Sequence, residues 1–248
     1  MVVAGGLGVA ARRRVGDAET DGTALSLGRP LWAPRLRGIS RRPSGQPLSR
    51  PVVPRSPRVM LQVTGGSLRG RRLKIAPGES IRPTASRVRE ALFSILGQRL
   101  DGRRVLDLYA GAGTLGIEAA SRGADDVVFV EVDGSHVELL RHNARLLDGV
   151  ASHRILGLDV QRAIQRLRSE GGGFDLVFLD APYGKGLSTK TLEALGATGY
   201  EVLAAGAVVV VETDAREDLP EQVGRFRADD SRTYGKTGLT FYRNGETT

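Results

Sequence analysis

From Val105 onward, short apolar runs alternate with stretches of helical period, and this alternation restricts the fold more tightly than any other feature of the chain. The runs at 105–109, 127–132, 174–179 and 207–212, with a shorter one near 154–156, predict strands; 115–121, 135–147, 160–169 and 188–195 predict the helices between them. Continuously apolar strands separated by helices imply an α/β fold whose parallel sheet is covered on both faces. Ligands of such sheets bind beyond the carboxyl ends of the strands. The tail breaks the rhythm, because the segments around 225–227 and 239–242 bracket polar residues and predict two final strands with no helix between them. No internal repeat is evident.

Upstream of the sheet the character changes twice. Leu61-Gln62-Val63-Thr64, a break at Gly65-Gly66, and Arg71-Arg72-Leu73-Lys74-Ile75 predict a short basic hairpin. Val88, Ala91, Leu92, Ile95 and Leu96 then recur at helical spacing after Pro83-Thr84, with Gly97 as the stop, so this helix is expected to pack one face on the main domain. Residues 1–59 hold 7 of the 11 prolines and one aromatic, Trp32, with no sustained period, so disorder is expected there. Four readings of this extension stand side by side: translation assigned upstream of a start at Met60, an Arg-rich transit peptide, a basic arm on RNA, or a linker. The expected organisation is an Arg/Pro-rich extension at 1–59, a basic RNA-binding hairpin-and-helix module at 60–104, and a catalytic domain at 105–248.

Charge follows the same divisions. Of the net +8, residues 1–59 contribute +8, residues 60–104 contribute +7, and residues 105–248 contribute −7. A polyanion is therefore drawn to the start of the folded body. The chain has no cysteine, which rules out disulfides, thiolate metal sites and cysteine nucleophiles, and with only three histidines no metal centre is expected. A reducing compartment is expected, the cytoplasm unless 1–59 is a genuine transit peptide. No apolar run approaches the roughly 20 residues of a membrane-spanning helix, and the start lacks a secretory pattern.

Gly111-Ala112-Gly113-Thr114-Leu115-Gly116 follows the first strand and opens the first helix of the sheet, with Glu131 ending the second strand. Glycines allow a tight turn and close approach of a ligand to backbone N–H groups, and a carboxylate at the second strand end accepts both hydroxyls of a ribose. The plainer reading is a tight turn that binds nothing. Asp107 separates the two cofactor classes this pattern admits. A carboxylate inside the first strand suits the ammonium of a methionine moiety and opposes a pyrophosphate, which favours S-adenosyl-L-methionine over a nicotinamide.

Asp180-Ala181-Pro182-Tyr183 ends the fourth strand, at the rim where substrate meets cofactor. The exocyclic amine of a nucleobase is a poor nucleophile because its lone pair is delocalised into the ring. Two acceptors on its N–H groups, the Asp180 carboxylate and the Ala181 carbonyl, draw the nitrogen toward tetrahedral geometry, and Tyr183 stacks on the base. Pro182 biases Ala181 to an extended conformation that aims this carbonyl outward. An ordinary strand-ending turn is the alternative. Arg69, Arg71, Arg72, Lys74, Arg82, Arg87 and Arg89 are dense enough to follow a phosphate backbone, or else form a solvated charged face, with Arg89 and Glu90 decorating the helix.

Gly65-Gly66, Arg69-Gly70-Arg71-Arg72-Leu73, Arg82-Pro83-Thr84, Arg87 to Phe93, Asp107 to Gly113, Gly116-Ile117-Glu118-Ala119, Asp180 to Tyr183, and Tyr234-Gly235 with the following Lys-Thr-Gly-Leu occur in an order that resembles the RsmD-type small-subunit rRNA guanine-N2 methyltransferases. The resemblance runs from about Gly65 to Tyr242. It implies a Rossmann-like, seven-stranded class I S-adenosyl-L-methionine-dependent sheet with an antiparallel last strand. It also implies Asp107, Ala110, Gly111 and Gly113 at the methionine end of the cofactor, Glu131 at the ribose, and Asp159 and Val160 at the adenine. Asp180, Ala181, Pro182 and Tyr183 would be catalytic, and Arg69, Arg71, Arg72, Lys74, Arg82 and Arg87 would hold RNA. Ala181 departs from the family, whose signature has proline there. The expected partner is small-subunit rRNA or its ribonucleoprotein particle, bound by a monomer with no membrane attachment. Rival readings are methylation of a DNA amine or a protein glutamine, whose usual motif begins with Asn, a nicotinamide oxidoreductase, and a non-catalytic RNA-binding factor.

Overall fold

The computed structural model describes residues 61–76, 83–197 and 202–244. The expected disorder of 1–59 and the position of Arg82 lie outside these residues. Helix α1 (Pro83–Leu96) is followed by β1 (Arg104–Leu108), α2 (Thr114–Ser121), β2 (Asp126–Val130), α3 (Gly134–Ala144) with a 3-10 turn at Arg145–Leu147, and β3 (Ser152–Leu156). Then come α4 (Val160–Ser169), β4 (Phe174–Leu179), α5 (Leu187–Ala197), β5 (Leu203–Asp214), β6 (Gln222–Val223), β7 (Phe226–Tyr234) and β8 (Thr237–Asn244). The strands form one sheet in the order β3-β2-β1-β4-β5-β8-β7-β6. The first five are parallel neighbours, and β8 runs antiparallel to β5 and β7. Strand order reverses between β1 and β4, which makes the carboxyl ends of these two strands the switch point where a ligand crevice is expected.

Among the described residues the sheet has eight strands where seven were expected. The addition is β6, two residues paired with the start of β7 through Val223 and Phe226. Gly224, at φ +57°, takes the left-handed conformation that this two-residue reversal needs, and the edge strand follows from the turn.

Alternation along the strands divides the core in two. Val105, Val127, Phe129, Leu176, Phe178, Val210 and Phe241 face one side with residues of α1, α2 and α3; Leu106, Val128, Val130, Val177, Leu179 and Val209 face the other with residues of α4 and α5. Leu61, Val63, Leu68, Leu73, Val88, Leu92 and Phe93 join the first of these clusters, so the segment before β1 is built into the sheet's own core. Phe93 meets Phe178 edge-on, with centroids 5.8 Å apart, placing α1 beneath the strand that ends at the Asp180 turn.

The predicted hairpin is held by a single antiparallel bridge, Gln62 with Arg72, flanked by Val63 N–H donating to the Arg71 carbonyl and Leu73 N–H to that of Leu61. Its turn docks on the end of α2. Ser67 N–H donates to the Ser121 carbonyl and Leu68 N–H to Ser121 Oγ, which itself donates to the Gly65 carbonyl. Gly66, at φ +76°, lies against the Ser121 backbone, and any Cβ there would overlap the carbonyl.

Arg89 corrects the expectation of a decorated helix surface. It is buried, and its Nε donates to Glu118 Oε1 at 3.1 Å, while Arg122 pairs with the other oxygen of the same fully buried carboxylate. The Arg89 partner is Glu118 of α2, and its Nη2 donates to the Gln62 carbonyl at 2.9 Å. Arg122 also stacks over the Phe93 ring at 4.4 Å. Helix, hairpin and α2 thus share one internal ion cluster.

Candidate active site

The segment after β1 reverses sharply. Tyr109 takes φ +59°, an uncommon conformation for a bulky residue, Gly111 takes +52°, and Gly113 takes +80° as the N-cap of α2. A Cβ on Gly113 would run into Leu140 of α3, so glycine is required by packing as well as by backbone. The Tyr109 strain is tied down by its hydroxyl, 3.0 Å from Thr191 Oγ1 on α5.

Two carboxylates organise the turn, and a third caps the helix after β3. Asp107 is 2 % exposed and accepts the Gly116 N–H at 2.9 Å, which pins the first turn of α2 over β1. Burial pushes its carboxyl up to about 7; the Gly116 N–H opposes that rise and the charge of Glu131 adds to it. Glu131, immediately after β2, accepts the Gly111 N–H at 2.9 Å and the Asp133 N–H at 2.8 Å. Asp159 caps α4 by accepting the Gln161 N–H at 2.9 Å. Each Glu131 oxygen retains a lone-pair site beyond its backbone bond.

A cleft of about 520 Å³ opens at the carboxyl ends of β1, β2 and β4. It is lined by the sequence-predicted residues Gly111, Glu131, Asp159, Asp180, Ala181, Pro182 and Tyr183. Asp107, Ala110, Gly113 and Val160 do not form its wall: Asp107 and Gly113 hold the turn from beneath, and Ala110 and Val160 are buried. Sequence reasoning missed Tyr109, Val132, Asp133, His136 and Leu187 of the lining. Val132, directly after the acidic strand end, carries no distinguishing mark in the sequence, yet it is 66 % exposed.

Asp180 is exposed at the cleft, although protein close around its carboxyl takes part of its hydration. That loss of hydration, reinforced by the negative charges of Glu212 and Asp107, raises its carboxyl well above the usual range. Leu179 pairs with Val211 across β4 and β5, so Asp180 and Glu212 stand at neighbouring positions of adjacent strands. Tyr183 is 43 % exposed, and its hydroxyl donates to Glu212 Oε1 at 3.3 Å. Ala181 is buried among apolar residues.

Arg69, Arg71, Arg72, Lys74 and Arg87 are all exposed. The backbone of Lys74 is fastened to the cofactor turn by Asn143 of α3. Its Oδ1 accepts the Lys74 N–H at 2.9 Å, and its Nδ2 donates to the carbonyls of Lys74 and Ala112 at 3.0 and 2.9 Å.

A family model described as conserved hypothetical protein 95 matches residues 61–243. YlbH of Bacillus subtilis is 37% identical over 183 residues, covering 74% of this chain and 98% of its own length. The ribosomal RNA small subunit methyltransferase D of Escherichia coli is 31% identical over 184 residues, covering 74% of this chain and 89% of its own. The solved structure of yhhF from Escherichia coli superposes with a TM-score of 0.64 at 30% identity, covering 75% of this chain and 98% of that one. Sheet order, antiparallel last strand and these likenesses agree on a class I methyltransferase fold, and the chain belongs to the RsmD family of rRNA methyltransferases.

Proposed function

We infer that the protein methylates the exocyclic N2 amine of a guanine in small-subunit rRNA, acting as a monomer in the cytoplasm. The observation that carries this reading is the single cleft that brings Glu131 and Asp159 together with Asp180 and Tyr183. S-adenosyl-L-methionine fits the residues present: a buried carboxylate at Asp107 for an ammonium, the Glu131 carboxylate for ribose hydroxyls, and exposed Val132 for the adenine face. Bound there, it supplies a sulfonium methyl for direct in-line transfer.

The chain's own residues orient and activate the amine. Asp180 and the Ala181 carbonyl accept its two N–H groups, and Tyr183 stacks on the base. An ionised Asp180 is the stronger acceptor and can take up a proton, whereas a protonated carboxyl offers the amine only its carbonyl oxygen and has no room for the departing proton. Asp180 then takes the departing proton toward solvent, a role that its raised pKa favours. The target base must be accessible in a loop or flipped from a helix. Arg69, Arg71, Arg72, Lys74, Arg82 and Arg87 hold neighbouring phosphates. Alanine in place of the family proline at 181 leaves the backbone acceptor in position, and its methyl fills the core on the α4 and α5 side of the sheet.

The test is a methyl-transfer assay of the full chain with labelled S-adenosyl-L-methionine and small ribosomal subunits lacking rRNA methylation, with product nucleosides identified by mass spectrometry. Label in N2-methylguanosine is the expected outcome. Asp180→Ala should abolish turnover with S-adenosylhomocysteine affinity nearly unchanged. Loss of both together would assign Asp180 a structural role.

A further inference from the structure

Tyr183 divides two hollows at the carboxyl edge of the sheet. One is the cleft already described. The other, about 460 Å³, lies over the end of β5 and is lined by Tyr183, Gly184, Asp214, Arg216 and Glu217. A base stacked on Tyr183 and presenting its amine to Asp180 has an edge turned toward β5. Glu212 lines neither hollow, but it stands on that strand in register beside Asp180, bonded to the Tyr183 hydroxyl that separates the two.

We propose that Glu212 is the specificity residue for the base, its carboxylate accepting the guanine N1–H while Asp180 and the Ala181 carbonyl hold the adjacent N2 amine. This deepens the reading above and rests on it. Guanine carries N1–H and the N2 amine as neighbouring donors on one edge. The two carboxylates spring from adjacent parallel strands about 4.8 Å apart at the backbone, and the longer Glu212 side chain has the reach to converge with Asp180 on these neighbouring donors. Adenine offers a lone pair at N1, which a carboxylate repels, so the same residue that welcomes guanine excludes the other purine with an exocyclic amine. The Tyr183 hydroxyl donates to one oxygen of the Glu212 carboxylate. That bond gives Glu212 a fixed orientation and ties stacking to base reading. The nearness of the two carboxylates is also visible in Asp180, which Glu212 pushes further toward the protonated form; a donor edge bridging the pair relieves that repulsion.

2-Aminopurine isolates the N1 contact, because it keeps the N2 amine and lacks the N1 proton. With the target guanine mapped, small subunits are reconstituted with guanine or 2-aminopurine at that position, and kcat/KM is measured for the wild-type chain, Glu212→Gln and Tyr183→Phe. The wild type should prefer guanine by about 10²-fold, the scale of one hydrogen bond to a charged group. Glu212→Gln keeps an acceptor for Tyr183 and gains an amide donor that suits the bare N1. The preference should shrink to within about threefold. Tyr183→Phe keeps the stacking ring but releases Glu212, so the preference should fall, by less than in Glu212→Gln. A preference that survives Glu212→Gln would overturn the assignment and leave Glu212 as the anchor of Tyr183, and so would a wild type indifferent to the two bases, a comparison that needs no variant to fold. Failure of the wild type to methylate N2 of any guanine would instead remove the underlying reaction, and is seen before any variant is made.

Discussion

Asp107 is a carboxylate kept out of water with one N–H partner, and that burial pushes its carboxyl up to about 7. An ammonium placed against it favours the ionised form, so ligand binding expels a proton wherever Asp107 is still protonated. The affinity for S-adenosylhomocysteine should therefore rise by up to tenfold per unit as pH increases toward about 7, then level off by pH 8, and calorimetry in buffers of different ionisation enthalpy should record the released proton. A flat profile would place the ammonium elsewhere. The same burial sets a stability trend of known sign. The folded state holds a proton that the unfolded chain releases near 3.8, so the contribution is full below that pH and is lost as pH climbs through about 7. Asp107→Asn should accordingly raise the melting temperature of the unliganded protein at pH 8 and weaken the ligand at every pH. At Asp180 the loss of hydration is only partial, and its own proton must leave before it can take up the one departing from the amine. The dependence of kcat should rise toward alkaline pH, with its midpoint displaced above that of an ordinary carboxylate.

At the scale of elements, the buried cluster of Arg89, Glu118 and Arg122 joins α1, α2 and the hairpin strand at Gln62. Removing one partner of a buried ion pair strands the others, at a cost of about 3–5 kcal/mol. Glu118 keeps Arg122 and the Thr64 N–H, so Arg89→Ala belongs at the low end, about 3 kcal/mol, or a melting point lower by roughly 10 °C for a domain of this size. Arg87→Ala, two residues away and exposed, should shift it by less than about 0.5 kcal/mol while weakening RNA binding. Equal effects from the two would dissolve the distinction. No spacing rule separates these arginines in the sequence, because Arg89 is drawn inward by a carboxylate 29 positions away on another helix. Strand and helix cores were legible for the opposite reason: Val160–Ser169 and Phe174–Leu179 carry their burial in their own period, and both appear at the expected limits. The polar run inside β7 carries no such signal, since Phe226–Tyr234 is a strand through its pairing with β8. In the site, Glu131 and Asp180 could be found because each follows an apolar strand with a charge, and Asp107 because it interrupts one. Val132 and Leu187 escaped because nothing in their identity distinguishes a ligand-facing apolar side chain from a core one.

Across the whole molecule, the +7 of residues 60–104 and the −7 of residues 105–248 belong to one body, with α1 and the hairpin packed on the face of the sheet that carries Asp107. Glu212 shares that face, since Val210 two residues earlier points into the same cluster. On the proposed function, the basic segment that would hold a phosphate backbone thus packs on the same side of the sheet as Asp107 and Glu212. On the same reading, carboxylates around the cleft would repel a phosphate and favour entry of an uncharged base. This division of labour has a measurable signature. Each phosphate contact adds roughly 0.7–0.9 to the slope of log affinity against log salt. Removing Arg69, Arg71 and Arg72 together should lower that slope by about 2–3 and weaken RNA binding most at low salt. Because the three side chains are exposed, S-adenosylhomocysteine affinity and melting temperature should stay close to those of the wild type. Fluorescence anisotropy of a labelled small-subunit rRNA fragment between 50 and 300 mM salt reads the slope directly. An unchanged slope would mean that the RNA lies on another face, and the positive hairpin would then serve only to keep the carboxylate-rich body in charge balance.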